Sequence, residues 1–237
     1  MNINFSYSGQ SSRLPLGAVL QGVRISNALL PNAPPILDNA TVSLSPSLTS
    51  ILLTRPGLNL SAGLYGGSVN AAVRRDGDAL DLTFDMTGLE LNRYEALIKM
   101  GVNVRGRLSG NGAATLSDGN VLLDSGRLNL TISGLTLRLA RGLPAMRLGT
   151  LTGAAHLSHG ILQIDQLKGH GSDLNVEVHG SIQLAADIAE STLNLRVNLM
   201  PTRAGRSHLG FLLAMLPHPP NGRPYFLHGL VMAPSIT

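Results

Sequence analysis

The chain has no cysteine and no tryptophan, and only 3% of its 237 residues are aromatic. Without thiols, disulfides, cysteine-ligated zinc and thiol catalysis are excluded, and the redox compartment stays open. With so few rings, ligand recognition by stacking is not expected. Charge is sparse too, at 14% of residues and a formal net +4. The basic residues are almost all arginine, set singly along the chain, and only Arg74 and Arg75 are adjacent. Nucleic-acid binders cluster positive charge and interleave stacking aromatics, so no nucleic-acid partner is expected. Weak attraction to anionic lipid headgroups or lipopolysaccharide phosphates stays open, because arginine forks phosphate well.

Long apolar runs are also missing. Residues 1–8 have neither a basic start nor a hydrophobic stretch, so neither a signal peptide nor a membrane anchor is expected in the chain as given. The apolar run from Leu209 to Leu216 would span roughly 16 Å as a helix, about half of a bilayer core. It reads as a plug packed on a sheet.

What is present is 43% hydrophobic residues, 27 Gly and 13 Pro. That suffices for a core of Leu, Val, Ile and Ala in one all-β domain over residues 1–237. Leu174, Val176, Val178, Gly180, Ile182 and Leu184 alternate with Asn175, Glu177, His179, Ser181 and Gln183. After a break at 185–190, Leu193, Leu195, Val197 and Leu199 resume the pattern. This is a strand period; a helix would scatter the same residues around its surface. Similar rhythms run through most of the chain, with Leu128, Leu130 and Ile132 in a particularly strict stretch. They predict about a dozen short, mainly antiparallel strands. Short helices are expected at 47–53 (capped by Ser45 with Pro46 in its first turn), from Asn92 through Ile98, and in the tail. The Gly-rich stretches at 66–67, 106–112 and 169–171 read as turns and bulges between strands.

A search for chemistry finds little. His156 and His159 are three apart, which on a strand points them to opposite faces, and His170 and His179 follow without a carboxylate at a metal-binding interval. Asp81 and Asp85 share a face, while Asp76, Asp78, Asp165, Asp173 and Glu177 are scattered. A glycoside cleft would normally add aromatics. No Gly-x-Ser-x-Gly elbow or phosphate loop is present. The expectation is therefore a protein that is not an enzyme, with no catalytic residues, cofactor or metal. A hydrolase would require His156, His170, Asp173 or Glu177 to converge.

The functional question moves to the apolar face. In a closed sandwich it is ordinary core; in a sheet that curls without a second layer it lines a trough for lipid or protein. Periodicity alone does not separate the two. A transmembrane barrel would need aromatic girdles and longer strands. The residues proposed for an apolar groove are Leu128, Leu130, Ile132, Leu174, Val176, Val178, Ile182, Leu193, Leu195 and Val197.

Several segments, in order, resemble the type II secretion system protein N family of deltaproteobacteria and related Gram-negative bacteria. They include Pro46-Ser47-Leu48 through Leu53, Leu64-Tyr65-Gly66-Gly67-Ser68-Val69, Met146-Arg147-Leu148-Gly149 and His159-Gly160-Ile161-Leu162. Val178-His179-Gly180-Ser181-Ile182-Gln183-Leu184, Ser191-Thr192-Leu193-Asn194-Leu195 and His228-Gly229-Leu230 continue the series. That family is similar to the AsmA-like group, whose β-rich regions form curved sheets with an exposed apolar groove. The resemblance implies an elongated, curved or twisted all-β sheet, half-open or sandwich-like. It also implies an accessory role in export of folded proteins across the outer membrane, in the periplasm and associated with the inner membrane. Partners implied are other secretion-system components and, on the AsmA-like side, lipid or lipopolysaccharide. Family members usually begin with a transmembrane segment, which is not found here, so a truncated chain, a misassigned start or a soluble variant is expected.

Overall fold

The computed structural model describes residues 3–13, 16–27, 37–47, 56–94, 103–117, 125–138, 142–185, 190–215, 224–231 and 233–237. The strands are β1 (Ile3–Ser6), β2 (Gly9–Arg13), β3 (Gly17–Asn27), β4 (Leu37–Pro46), β5 (Gly57–Leu64), β6 (Gly67–Asp76), β7 (Ala79–Glu90) and β8 (Asn103–Ser117). They continue as β9 (Ser125–Arg138), β10 (Met146–Ser158), β11 (Ile161–His170), β12 (Leu174–Gln183), β13 (Thr192–Pro201), β14 (Tyr225–Leu230) and β15 (Ala233–Ile236). One α-helix, α1 (Arg203–Met215), lies between β13 and β14, and a single 3₁₀ turn (Leu91–Arg93) follows β7.

All fifteen strands form one antiparallel sheet, and from β3 onward each pairs with the next in sequence. β1 and β2 run along the same edge of β3, so they act as one first strand interrupted at Tyr7 and Ser8. Tight turns make this meander possible. Tyr65-Gly66 and His159-Gly160 both place two successive residues at positive φ, the geometry that matches the right-handed twist of a hairpin.

The first and last strands do not meet, so the sheet is open. Twist explains why: at about 20° per strand it accumulates to on the order of 260° across the pairings. Register shifts at β3–β4, β7–β8, β8–β9, β9–β10, β10–β11 and β11–β12 add local bends. The chain's accessible surface is 14,568 Å², against about 10,000 Å² for a compact chain of this mass. Among the described residues no second sheet covers the layer.

Between the expected alternatives, the open curved sheet is the one found. The strands are longer than expected: β8, whose Gly106, Gly110 and Gly112 read from sequence as turns and bulges between strands, is continuous over fifteen residues. The glycines lie within strands because they face large neighbours across the ladder. Ser45 and Pro46 end β4, opposite Asn59 and Leu58, and do not cap a helix. The rest of the helix expected at 47–53 lies outside the described residues, as does most of the one expected through Ile98. The tail helix begins six residues earlier than expected, and β2 was not anticipated.

Candidate functional site

Because directly paired residues in an antiparallel ladder point to the same side, the register assigns every side chain to a face. Starting from Leu130, the apolar row runs to Gly110, Met86, Val69, Ala62, Val42 and Leu20 in one direction. In the other it runs to Gly153, Leu167, Val178, Val197 and Tyr225. One face is therefore apolar from β3 to β14, and the alternate residues form a polar face.

All ten residues proposed for a groove lie on this apolar face. They fall into two groups separated by β10 and β11, about 14 Å at the usual strand spacing. On β9, Leu128, Leu130 and Ile132 are half-buried. On β12 and β13, Leu174, Val178, Leu193 and Leu195 are buried, while Val176, Ile182 and Val197 are half-buried and pack with Ile164, Leu167 and Leu227. A matching buried cluster of Leu20, Val23, Ala40, Val42 and Ala62 closes the other end. Between the two ends no second layer covers the apolar face among the described residues, and Leu58 and Leu80 on it are 43% and 41% exposed.

Glycines shape the middle of this face, a feature the sequence reading missed. A Cβ on Gly112 would come within 2.5 Å of the Phe84 ring, and one on Gly153 within 2.8 Å of Leu167. Large side chains thus lie over the glycines, leaving a smooth, shallow apolar path. The sequence signal was present as Gly alternating with polar residues at 110–112 and again at Gly153, Gly169 and Gly180.

The polar face carries an open cleft of about 870 Å³ bordered by Arg74, Asp81, Thr83, Arg127, His156 and Asp165. A shallower one of about 440 Å³ adjoins it at Ala72 and Thr83 and is bordered by Ser43, Asn59, Ser61 and Asn70. None of the ten proposed groove residues borders either hollow. The polar groups here are mostly paired with one another. Thr115 donates to Asp81 at 2.9 Å, His156 Nδ1 lies 2.7 Å from Asp165, and Asn129 donates to Asn111 at 3.2 Å. Farther along, Glu177 meets both Lys168 and His179 at 3.3 Å, and these two partners hold its carboxyl below the usual range. His159 Nδ1 is 2.9 Å from Ser158 Oγ, and His170 stands opposite Thr150. His156, His170, Asp173 and Glu177 thus have separate surroundings, and among the described residues no three potential metal ligands gather.

Asp173 is the one fully buried charged side chain among the described residues. The Arg147 backbone N–H donates to it at 2.9 Å, the Arg147 guanidinium lies at 3.3 Å and His208 at 3.6 Å. Burial pushes its carboxyl up, but the Arg147 hydrogen bonds, the Arg147 charge and the neighbouring His208 outweigh that and hold it below the usual carboxylate range. Its role is to anchor α1. Thr202 caps the helix, donating to the Ser172 carbonyl at 2.6 Å and accepting from Gly205 N–H at 3.0 Å. Gly205 lies so close to the Asp173 backbone that no Cβ would fit, and Leu209 is completely buried. Of the apolar run expected to plug the sheet, Leu209 is buried and Phe211 is 71% exposed.

No family model, curated protein or solved structure matches this chain. Among the described residues no helix is long and apolar enough to cross a membrane.

Proposed function

We propose that this chain is a non-enzymatic accessory component of the type II secretion system, acting in the periplasm at the inner membrane in the export of folded proteins. The ordered series of segments resembling the protein N family supports this reading. So does the architecture: a long sheet with two faces and two free edges offers contact surfaces for assembly rather than a reaction site. The observation that carries the proposal is the single-layer sheet with an apolar face left uncovered through its middle. Affinity capture of the tagged chain from periplasm, followed by mass spectrometry, is expected to recover other secretion components. Recovery of none rejects the role.

A second reading is favoured by the half-exposure of Leu128, Leu130 and Ile132. In it the apolar path receives acyl chains, as in the AsmA-like group. Native mass spectrometry of the purified protein should find bound lipid, and Leu130→Asp should remove it. Lipid-free protein after gentle purification, with an unchanged spectrum for the variant, rejects this second reading.

A further inference from the structure

The charge of this chain is unevenly divided. Residues 191–237 contain four arginines and neither aspartate nor glutamate, so the whole formal excess of +4 resides there and residues 1–190 balance to zero. The same segment exposes large apolar side chains on the face that is polar elsewhere. Met200, Phe226 and Leu230 are 49%, 42% and 47% exposed. The register puts them on one side: Arg196 is opposite Phe226, Thr192 opposite Leu230, and Met200 follows Arg196 at even spacing on β13. The Arg196 guanidinium lies 5.3 Å from the Phe226 ring centre. Of the acids beside this face, Glu177, opposite Asn198, is held by Lys168 and His179, and Glu190 lies exposed just before β13. On the outer side, Ala233 and Ser235 of β15 and Thr237 just after it lie on this face, none of them large enough to cover it.

We infer that this face of β13 and β14 is a peripheral docking surface for an anionic membrane. The combination decides the occupant. Exposed Phe, Leu and Met provide apolar anchors for the headgroup boundary, and a segment that carries the chain's whole positive excess is attracted to negative lipid. Arginine over an aromatic ring suits an interface where one end is apolar and the other wet. Phe211 on α1 adds a further exposed ring in the same acid-free segment. The surface lies on the opposite side of the sheet from the apolar path, so it is testable separately from lipid uptake there.

The test is flotation of the purified full chain with phosphatidylcholine vesicles, with and without phosphatidylglycerol, at low and high salt. Binding is expected only with phosphatidylglycerol and should weaken as salt rises. Arg196→Gln should lower the partition constant about fivefold, and Phe226→Ser with Leu230→Ser more than tenfold. Arg127→Gln, which removes one positive charge on the polar face of β9 away from this surface, should leave it nearly unchanged. Equal binding to neutral vesicles, or wild-type binding by the folded β14 variant, overturns the inference. Absence of vesicle binding also overturns it. In that case dimerisation in ultracentrifugation that the β14 substitutions abolish assigns the surface to a second copy, and a monomer leaves it to a different protein.

Discussion

At β12 and β13 the apolar face is nearly dry, whereas at β8 and β9 the same face is half open. The two regions share residue types, alternation and register, so the difference comes from their neighbours. Val178, Leu193 and Leu195 are ringed by Ile164, Leu167, Val176, Ile182, Val197 and Leu227, whose bulk shields them sideways. Leu128 and Leu130 instead face Gly112 and Gly110 on one side and Ala155 and Gly153 on the other. Small flanking residues exclude little water. In a single-layer sheet, burial is thus set across the strands as much as along them.

Breaking the dry end should cost most. Val178→Asp places a charge among apolar side chains with no partner, and should lower unfolding stability by about 4 kcal/mol in urea titrations. The same change in the open middle, Leu130→Asp, should cost only about 1 kcal/mol, because the carboxylate keeps contact with water. Comparable losses at the two sites would mean that the middle is covered too.

Next comes the helix anchored beside the dry end. Leu209→Ala should cost about 3 kcal/mol by leaving a cavity under α1. Asp173 adds a pH signature to this attachment. Its folded pKa lies below the ordinary value of 3.8, so its contribution is complete above that value and is lost as pH falls through the folded pKa. The wild type should therefore lose stability in acid melts below about pH 4. Asp173→Asn should begin less stable and lack that part of the acid loss. An acid limb identical to wild type would show that the Asp173–Arg147 link does not hold the helix.

A smaller effect should follow from filling the glycine gaps. Gly112→Ala drives a methyl into the Phe84 ring and should cost about 2 kcal/mol or less, depending on how far the half-buried ring swings aside. Tryptic sensitivity of β7 and β8 should rise with it. Least affected should be Arg127→Gln in the polar cleft, within about 0.5 kcal/mol.

Much of this architecture was legible in the chain. The alternation at 174–184 and 193–199 marks β12 and β13 and the face their residues share, and His159-Gly160 marks a hairpin. What alternation does not encode is whether a face meets a second layer, because a sandwich and an open sheet need the same period. The glycines misled for a related reason. Gly106, Gly110 and Gly112 have breaker composition, but facing Leu and Phe across a ladder they are space for a neighbour, and that requires knowing the register. The Asp173 anchor was invisible because its partners, Arg147 and His208, lie 26 and 35 residues away in opposite directions along the chain. The polar cleft joins six strands, and its members carry no common spacing.

The absence of cysteine makes the central claim directly measurable. Single variants Leu130→Cys and Leu195→Cys can be reacted with a thiol reagent under native conditions, each against its own denatured rate. An uncovered middle predicts rapid modification at position 130 and strong protection at 195. Equal protection at both positions would mean that a second layer covers the middle of the sheet and would contradict the open apolar face.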